Sequence, residues 1–316
     1  MDIKAQINRW GKERIPFVLL TDFELQKPIA YPLSDCPEEL KFNFDGKTND
    51  ASNNEAPNHF KLQIETLDFD RFKNKFNLSQ KHLNRGDSYL INLTDKTRIK
   101  NKLNFEELFK SSKSKYTIWL KDEFISFSPE TFVRIQNGII STYPMKGTIE
   151  HLGAASEKEL KNNLKEQSEH ATVVDLLRND LSCVSKEVRV ENYRYYEVLH
   201  TSEKQIGQIS SKITGVLQDD HYSKLGDLIF NLLPAGSICG APKDKTVRLI
   251  AEIEGEPRGY YTGVAFYFDG SDLDSCVLIR YIDKDHYFRS GGGITFMSKL
   301  EDEYQELKNK VYVPVV

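Results

Sequence analysis

The sequence predicts an α+β fold built on large antiparallel β-sheets. Strand-like segments come in runs, at 116–143 and again at 260–290, where a doubly wound sheet would alternate each strand with a helix. Asn137-Gly138 separates two apolar segments, TFVRIQ and IISTY, and Asn-Gly in that setting is a strong hairpin signal. The long stretch from Ser156 to Leu181 contains no Gly or Pro and predicts a helix.

In chain order, a short amphipathic helix comes first, followed by Ile15-Pro16-Phe-Val-Leu-Leu-Thr-Asp-Phe as a buried strand. Residues 43–59, rich in Asn, Asp and Ala, read as a surface loop. FKLQIE (60–65) alternates as a strand, 68–84 is helical, and SYLINL (88–93) is a strand after the turn at Gly86-Asp87. YTIWL, FISFS, TFVRIQ and IISTY supply the first run of strands. Ser156 and Glu159 make a capping box at the start of the long helix. Strands near 187–192 and 205–217, a helix at 221–232 and a turn-rich segment from Pro234 to Pro242 follow. A helix at 243–253, strands at 260–268, 273–282 and 286–290, and a last helix capped by Ser298 and Glu301 complete the chain.

The 316 residues could hold one large domain or two. A net charge of -4 gives no electrostatic footprint for nucleic acid. The longest apolar runs, such as Phe17–Leu20, are far too short to span a bilayer, and the first residues lack the apolar core of a secretory signal. Cys36, Cys183, Cys239 and Cys276 show no metal-binding spacing, so reduced thiols and a cytoplasmic location are expected.

The chemistry concentrates in two Glu pairs. Glu166 and Glu169 stand three apart at the start of the long helix, where i and i+3 residues share a face. Val173, Val174, Leu176 and Leu177 then put apolar groups on nearly every side, as in a helix enclosed by other structure. Carboxylates leading into such a helix cost desolvation energy unless something positive, such as a metal ion, meets them. The last helix repeats the pattern with Glu303 and Glu306, which flank a core stripe of Leu300, Tyr304, Leu307 and Val311, with Lys310 on the same side. Gly291-Gly292-Gly293 lies just upstream, where backbone can approach a ligand closely.

Nine blocks in order resemble the chorismate-utilising enzymes: anthranilate synthase large subunits, aminodeoxychorismate synthase component I, isochorismate synthases and salicylate synthases. They are GDSYLINL (86–93), SFSPETF (126–132), YPMKGT (143–148), KEQSEHATVVDLLRNDLSCV (165–184), LLPAGSICGAPK (232–243), RGYYTGVAFY (258–267), VLIR (277–280), GGGI (291–294) and EYQELKNK (303–310). The resemblance implies sheets packed face to face with helices outside, a chorismate-binding catalytic region at 86–316, and a weakly matched N-terminal subregion at 1–85. It also implies Mg²⁺, a hard cation suited to carboxylate ligands. Glu169 and Glu306 would be the closest ligands, with Glu166 and Glu303 behind them or on metal-bound water. Arg280, expected on a strand, would take a substrate carboxylate bidentately. Tyr261, Thr148, Lys310 and the amides of Gly292 and Gly293 would complete the substrate site.

The position before Gly147-Thr148 is the branch point of the resemblance. Lysine there, Lys146, implies aminodeoxychorismate synthesis through a lysine adduct, and Glu130 matches the family's general acid. Leu90 stands where the water-using members carry a lysine, so water attack is not expected. Gln208 and Cys239 replace the usual histidine and threonine. The alternatives are an anthranilate synthase large subunit, or a catalytically silent chorismate-binding homologue. The Leu-Leu-Glu-Ser feedback motif is absent, and no segment resembles a glutaminase, so a separate glutamine amidotransferase subunit is the expected ammonia source.

Overall fold

The computed structural model describes residues 2–50, 62–200 and 205–314, without the side chains at 148, 165, 199 and 200. The class is α+β, with large antiparallel sheets and, among the described residues, eight α-helices. The chain opens with α1 (Ile3–Glu13), capped by the Asp2 carboxylate on Lys4 N–H, then β1 (Phe17–Thr21), buried along its whole length. β2 (Ile29–Pro32), β3 (Leu40–Phe44) and β4 (Lys47–Thr48) follow. β3 and β4 form a hairpin where the composition predicted a loop, and 51–59 lies outside the described residues. Of the predicted strand at 60–65, residues 60 and 61 also lie outside them, and Ile64 makes a single bridge to Ile99.

Next come α2 (Phe69–Asn84), capped by Asp68, and β5 (Leu90–Arg98). A short α3 (Phe105–Lys110), capped by Asn104, was not predicted. The strand run resolves into β6 (Tyr116–Leu120), β7 (Phe124–Ser128), β8 (Arg134–Gln136) and β9 (Ile139–Thr142). Asn137 and Gly138 both have positive φ, 51° and 74°, as a type I′ turn requires. β10 (Met145–Glu150) carries the Lys146 segment. The predicted single helix from 156 is two: α4 (Ala154–Asn162) and α5 (Leu164–Ser182). Asn163 ends the first and caps the second by accepting from Glu166 N–H at 3.2 Å. Ser156 makes no capping box; it sits inside α4 and accepts from Leu152 N–H.

β11 (Lys186–His200) and β12 (Gln205–Val216) form a long ribbon, followed by α6 (Leu225–Leu232), β13 (Gly240–Ala241) and α7 (Lys243–Glu254). β14 (Val264–Phe268), β15 (Leu273–Val277), β16 (Tyr281–Asp283), β17 (Tyr287–Ile294) and α8 (Leu300–Asn309) complete the described chain. The predicted strand at 286–290 extends through the three glycines 291–293, all of them inside β17. No helix among the described residues is long and apolar enough to cross a membrane.

The chain divides into two compact units. The first comprises 1–15, 131–233 and 268–274; the second comprises 16–130, 234–267 and 275–316. In the first unit β12 is the organising strand. β11 lies along one of its edges, and β10 and then β9 lie along the other, with β8 beyond β9. α4 and α5 pack on β10, β11 and β12. Val173, Val174, Leu176 and Leu177 are all buried, as predicted, while Asp175, Arg178 and Asn179 leave one stripe of α5 in solvent.

In the second unit the order β13-β5-β17-β16-β7-β6-β3-β4 makes an eight-stranded sheet. One face packs on β1 and β14 through a core that includes Val18, Leu20, Phe42, Tyr116, Phe124, Tyr261 and Ala265. This is the face-to-face packing expected of two sheets. The other face carries Ile125, Phe127, Ile282 and Phe288, covered by Leu108 and Phe109 of α3.

Candidate active site

In the first unit β10 and α5 bring Lys146 and Glu169 together. Lys146 pairs with Ile209 of β12 in the sheet register, and its ammonium lies 2.7 Å from Glu169 Oε2. Glu169 is 7% exposed. Burial of that order makes a lone carboxylate costly, so the lysine offsets its desolvation. Glu166 lies one turn earlier, above Gly147. A Cβ at 147 would stand 2.8 Å from Glu166 Oε2 and 3.1 Å from Leu160 Cδ1, and the backbone there has φ +80°. The positive φ favours glycine, and a side chain there would push the Glu166 carboxylate aside. Gly147→Ala is expected to lose about 1–3 kcal/mol of stability and to displace the Glu166 carboxylate. Urea denaturation checks this, and unchanged stability would show that position 147 tolerates a side chain. The Thr148 side chain lies outside the described ones.

His170 follows Glu169 and was not singled out in the sequence. It is fully buried, with Nε2 2.7 Å from Ser211 Oγ on β12 and Nδ1 without a hydrogen-bond partner among the described residues. Burial first, then the charges of Arg194 and Lys146, push its imidazole down from 6.5 to about 4. Between those two values the unfolded chain binds a proton that the folded chain refuses. Stability should therefore fall as pH drops from about 6.5 toward 4 and level off below that. In EDTA-containing buffer, His170→Gln should show a shallower loss over the same window than the parent chain; equal slopes would refute this origin.

Gln208, the replacement for the usual histidine, donates from Nε2 to Glu197 Oε1 at 2.6 Å and to Met145 Sδ at 3.1 Å. Ser210 Oγ also donates to Glu197. The amide thus ties β10, β11 and β12 together on the face opposite Lys146 and Ile209, since strand neighbours alternate faces.

In the second unit α8 lies along β17. Ser298 forms no capping box with Glu301; Lys299 occupies the N-cap position, without a side-chain cap. Leu307 of the expected stripe is fully buried, and Leu300, Tyr304 and Val311 are half-buried. Glu303 is 2% exposed. A Cβ on Gly292 would meet Glu306 Oε1 at 3.5 Å and Glu303 Oε2 at 3.6 Å, so both carboxylates bear on that one glycine. Lys310 bonds Glu306 Oε1 at 2.7 Å and Gly291 O at 2.8 Å. Leu90 of β5 closes on Gly293, where a Cβ would lie 3.0 Å from its Cδ1.

Arg280 is not on a strand; it sits in a bend between β15 and β16 with φ 52°. Its guanidinium stacks 4.9 Å from the Tyr312 ring and donates from Nη2 to Tyr312 Oη at 3.5 Å, while its Nε is buried without a hydrogen-bond partner. Such a guanidinium is suited to an incoming carboxylate. Tyr261 is 2% exposed, and burial pushes its phenol well above the ordinary range, so it keeps its proton. Glu130 is half-buried and accepts from Ser237 Oγ at 3.0 Å. Cys239 is fully buried, as a small core residue would be.

The two Glu pairs offer the hard oxygen donors that magnesium takes, and each pair already accommodates one ammonium, from Lys146 or Lys310. The residues therefore fit such an ion by donor chemistry. Among the described residues no group of three or more His, Cys, Asp or Glu side chains gathers as a metal cluster, so the fit is not one of assembled coordination.

The chain belongs to the chorismate binding enzyme family, which it matches over residues 21–315. It is similar to an uncharacterized PabA-like protein of Haemophilus influenzae, 44% identical over 314 residues, which are 98% of this chain and 95% of that protein. Aminodeoxychorismate synthase component 1 of Salmonella typhimurium is 31% identical over 75% of this chain and 55% of its own length. Anthranilate synthase component 1 of Acetivibrio thermocellus is 34% identical over 73% of this chain and 49% of its own length. Among solved structures, the 2,3-dihydroxybenzoate-specific isochorismate synthase DhbC of Bacillus anthracis shares the fold, with a TM-score of 0.73 at 21% identity over 98% of this chain and 85% of that one.

Proposed function

We propose that the chain is an aminodeoxychorismate synthase component I. It would convert chorismate and ammonia to 4-amino-4-deoxychorismate for 4-aminobenzoate and folate synthesis in the cytoplasm. Magnesium would be the cofactor, and a separate glutamine amidotransferase subunit would supply the ammonia. The observation that carries this reading is the 2.7 Å contact between Lys146 and Glu169, which sets the branch-point lysine on one of the acidic pairs.

Glu166, Glu169, Glu303 and Glu306 would hold the magnesium ion, which would polarise the ring carboxylate of chorismate as the ring hydroxyl leaves. Arg280 would bind a substrate carboxylate through its planar fork, with the protonated Tyr261 as a donor beside it. Lys310, Thr148 and the amides of Gly292 and Gly293 would bind the remaining substrate oxygens. Lys146 would first cede a proton to Glu169, and its free amine would bond to C2 as the C4 hydroxyl, protonated by Glu130, leaves as water. Ammonia would then bond to C4 and the lysine would depart from C2, its proton balance restored through the neighbouring carboxylates. Leu90, apolar and packed on Gly293, offers no base to activate water at that place.

The test is product analysis with chorismate, Mg²⁺ and ammonium salts at high pH. Formation of 4-amino-4-deoxychorismate is the expected result. Fluorescent anthranilate would assign the chain to the anthranilate synthases, and binding of chorismate without turnover would make it a silent homologue.

A further inference from the structure

We propose that Ser298 is a positioning residue that fixes one oxygen of Glu303, so that its carboxylate is set for the divalent cation or for water bound to it. The inference rests on the metal reading above.

Ser298 precedes α8 at a place where a serine commonly caps a helix, yet it caps nothing: the N-cap is Lys299 and no side chain serves it. Its hydroxyl goes to a side chain instead. Ser298 Oγ donates to Glu303 Oε1 at 2.7 Å and accepts from Thr295 N–H at 3.1 Å. A hydroxyl has one proton, and the amide approaching its lone pair leaves that proton for the carboxylate. The segment is itself pinned. Gln80 of α2 donates to Thr295 O at 2.8 Å and to Ser298 O at 3.4 Å, and Ser298 N–H bonds Thr295 O at 3.1 Å.

The consequence for Glu303 is directional. With Oε1 held by the serine, Oε2 bears on the same point above Gly292 as Glu306 Oε1, 3.6 and 3.5 Å from where a Cβ would stand. Glu306 Oε1 already meets one cation there, the Lys310 ammonium at 2.7 Å, so the pair suits positive charge, and a hydrogen bond behind a ligating carboxylate sets its orientation.

The experiment measures Mn²⁺ binding by electron paramagnetic resonance, and Mg²⁺ binding by calorimetry, in ammonia-free buffer. The proteins are the full chain, Ser298→Ala and Ser298→Thr. Ser298→Ala should bind either ion about 10- to 100-fold more weakly, while Ser298→Thr keeps the hydroxyl and should bind as the parent does. Affinity within twofold in Ser298→Ala overturns the proposal alone. Equal loss in both variants also overturns it, by showing that the hydroxyl is not what matters. No uptake of either ion by the parent chain overturns the metal reading and this inference with it. Should Ser298→Ala lower the thermal midpoint, the threonine variant decides.

Discussion

Lys146→Ala should lower the rate of 4-amino-4-deoxychorismate formation by at least about a thousandfold, within the range seen when a covalent nucleophile is removed. The same substitution strips the ammonium from Glu169, which is 7% exposed, so lost activity alone would not separate chemistry from a disturbed carboxylate. Lys146→Arg makes the distinction. Arginine can keep an ion pair with Glu169 but stays protonated and cannot add to carbon, so it should be as inactive as the alanine variant while retaining the stability of the parent chain. Activity within tenfold of the parent in either variant, measured by product chromatography at saturating chorismate and ammonium, would end the covalent role. Chorismate affinity should survive in the arginine variant, which calorimetry checks.

The features legible in the sequence were those set by local chemistry. Asn137-Gly138 made a type I′ turn because both residues tolerate positive φ. α2 ran from 69 to 84 because Asp68 capped it and an amphipathic pattern followed. What could not be read depended on partners distant in the chain. Asn163 divides α4 from α5 within a run free of Gly and Pro, and only its bond to Glu166 N–H shows that it is a cap and not a helical residue. The glycines 291–293 suggested close backbone approach to a ligand without showing to what, and Gly292 lies in β17 where α8 sets two carboxylates over it. Arg280 looked like a strand residue between VLI and YID, but its positive φ breaks the strand and turns it onto Tyr312. The pairing of Lys146 with Glu169 links positions 23 residues apart in sequence that no helical or strand period connects.

Arg258→Met should cost about 3–5 kcal/mol of stability, the usual consequence of removing one partner from a buried ion pair. The Arg258 and Glu254 side chains are 1% and 3% exposed, and the guanidinium donates to both carboxylate oxygens, from Nε at 2.9 Å and from Nη2 at 2.7 Å. The other donors reach Ile238 O at 2.9 Å and Asn92 O at 2.7 Å, so one side chain joins α7, β5 and the turn before β13. Glu254 in turn accepts from both N–H and Oγ1 of Thr94 at 2.9 Å. Methionine fills a similar volume but leaves a buried carboxylate with no cation and two carbonyls with no donor. Arg258→Met combined with Glu254→Gln removes the stranded charge and should regain a large part of the loss, whereas Arg258→Lys, which cannot span both oxygens and both carbonyls, should regain little. Urea denaturation of the three variants resolves these differences. A loss below about 1 kcal/mol for Arg258→Met would mean that the network is incidental to the packing of the second unit.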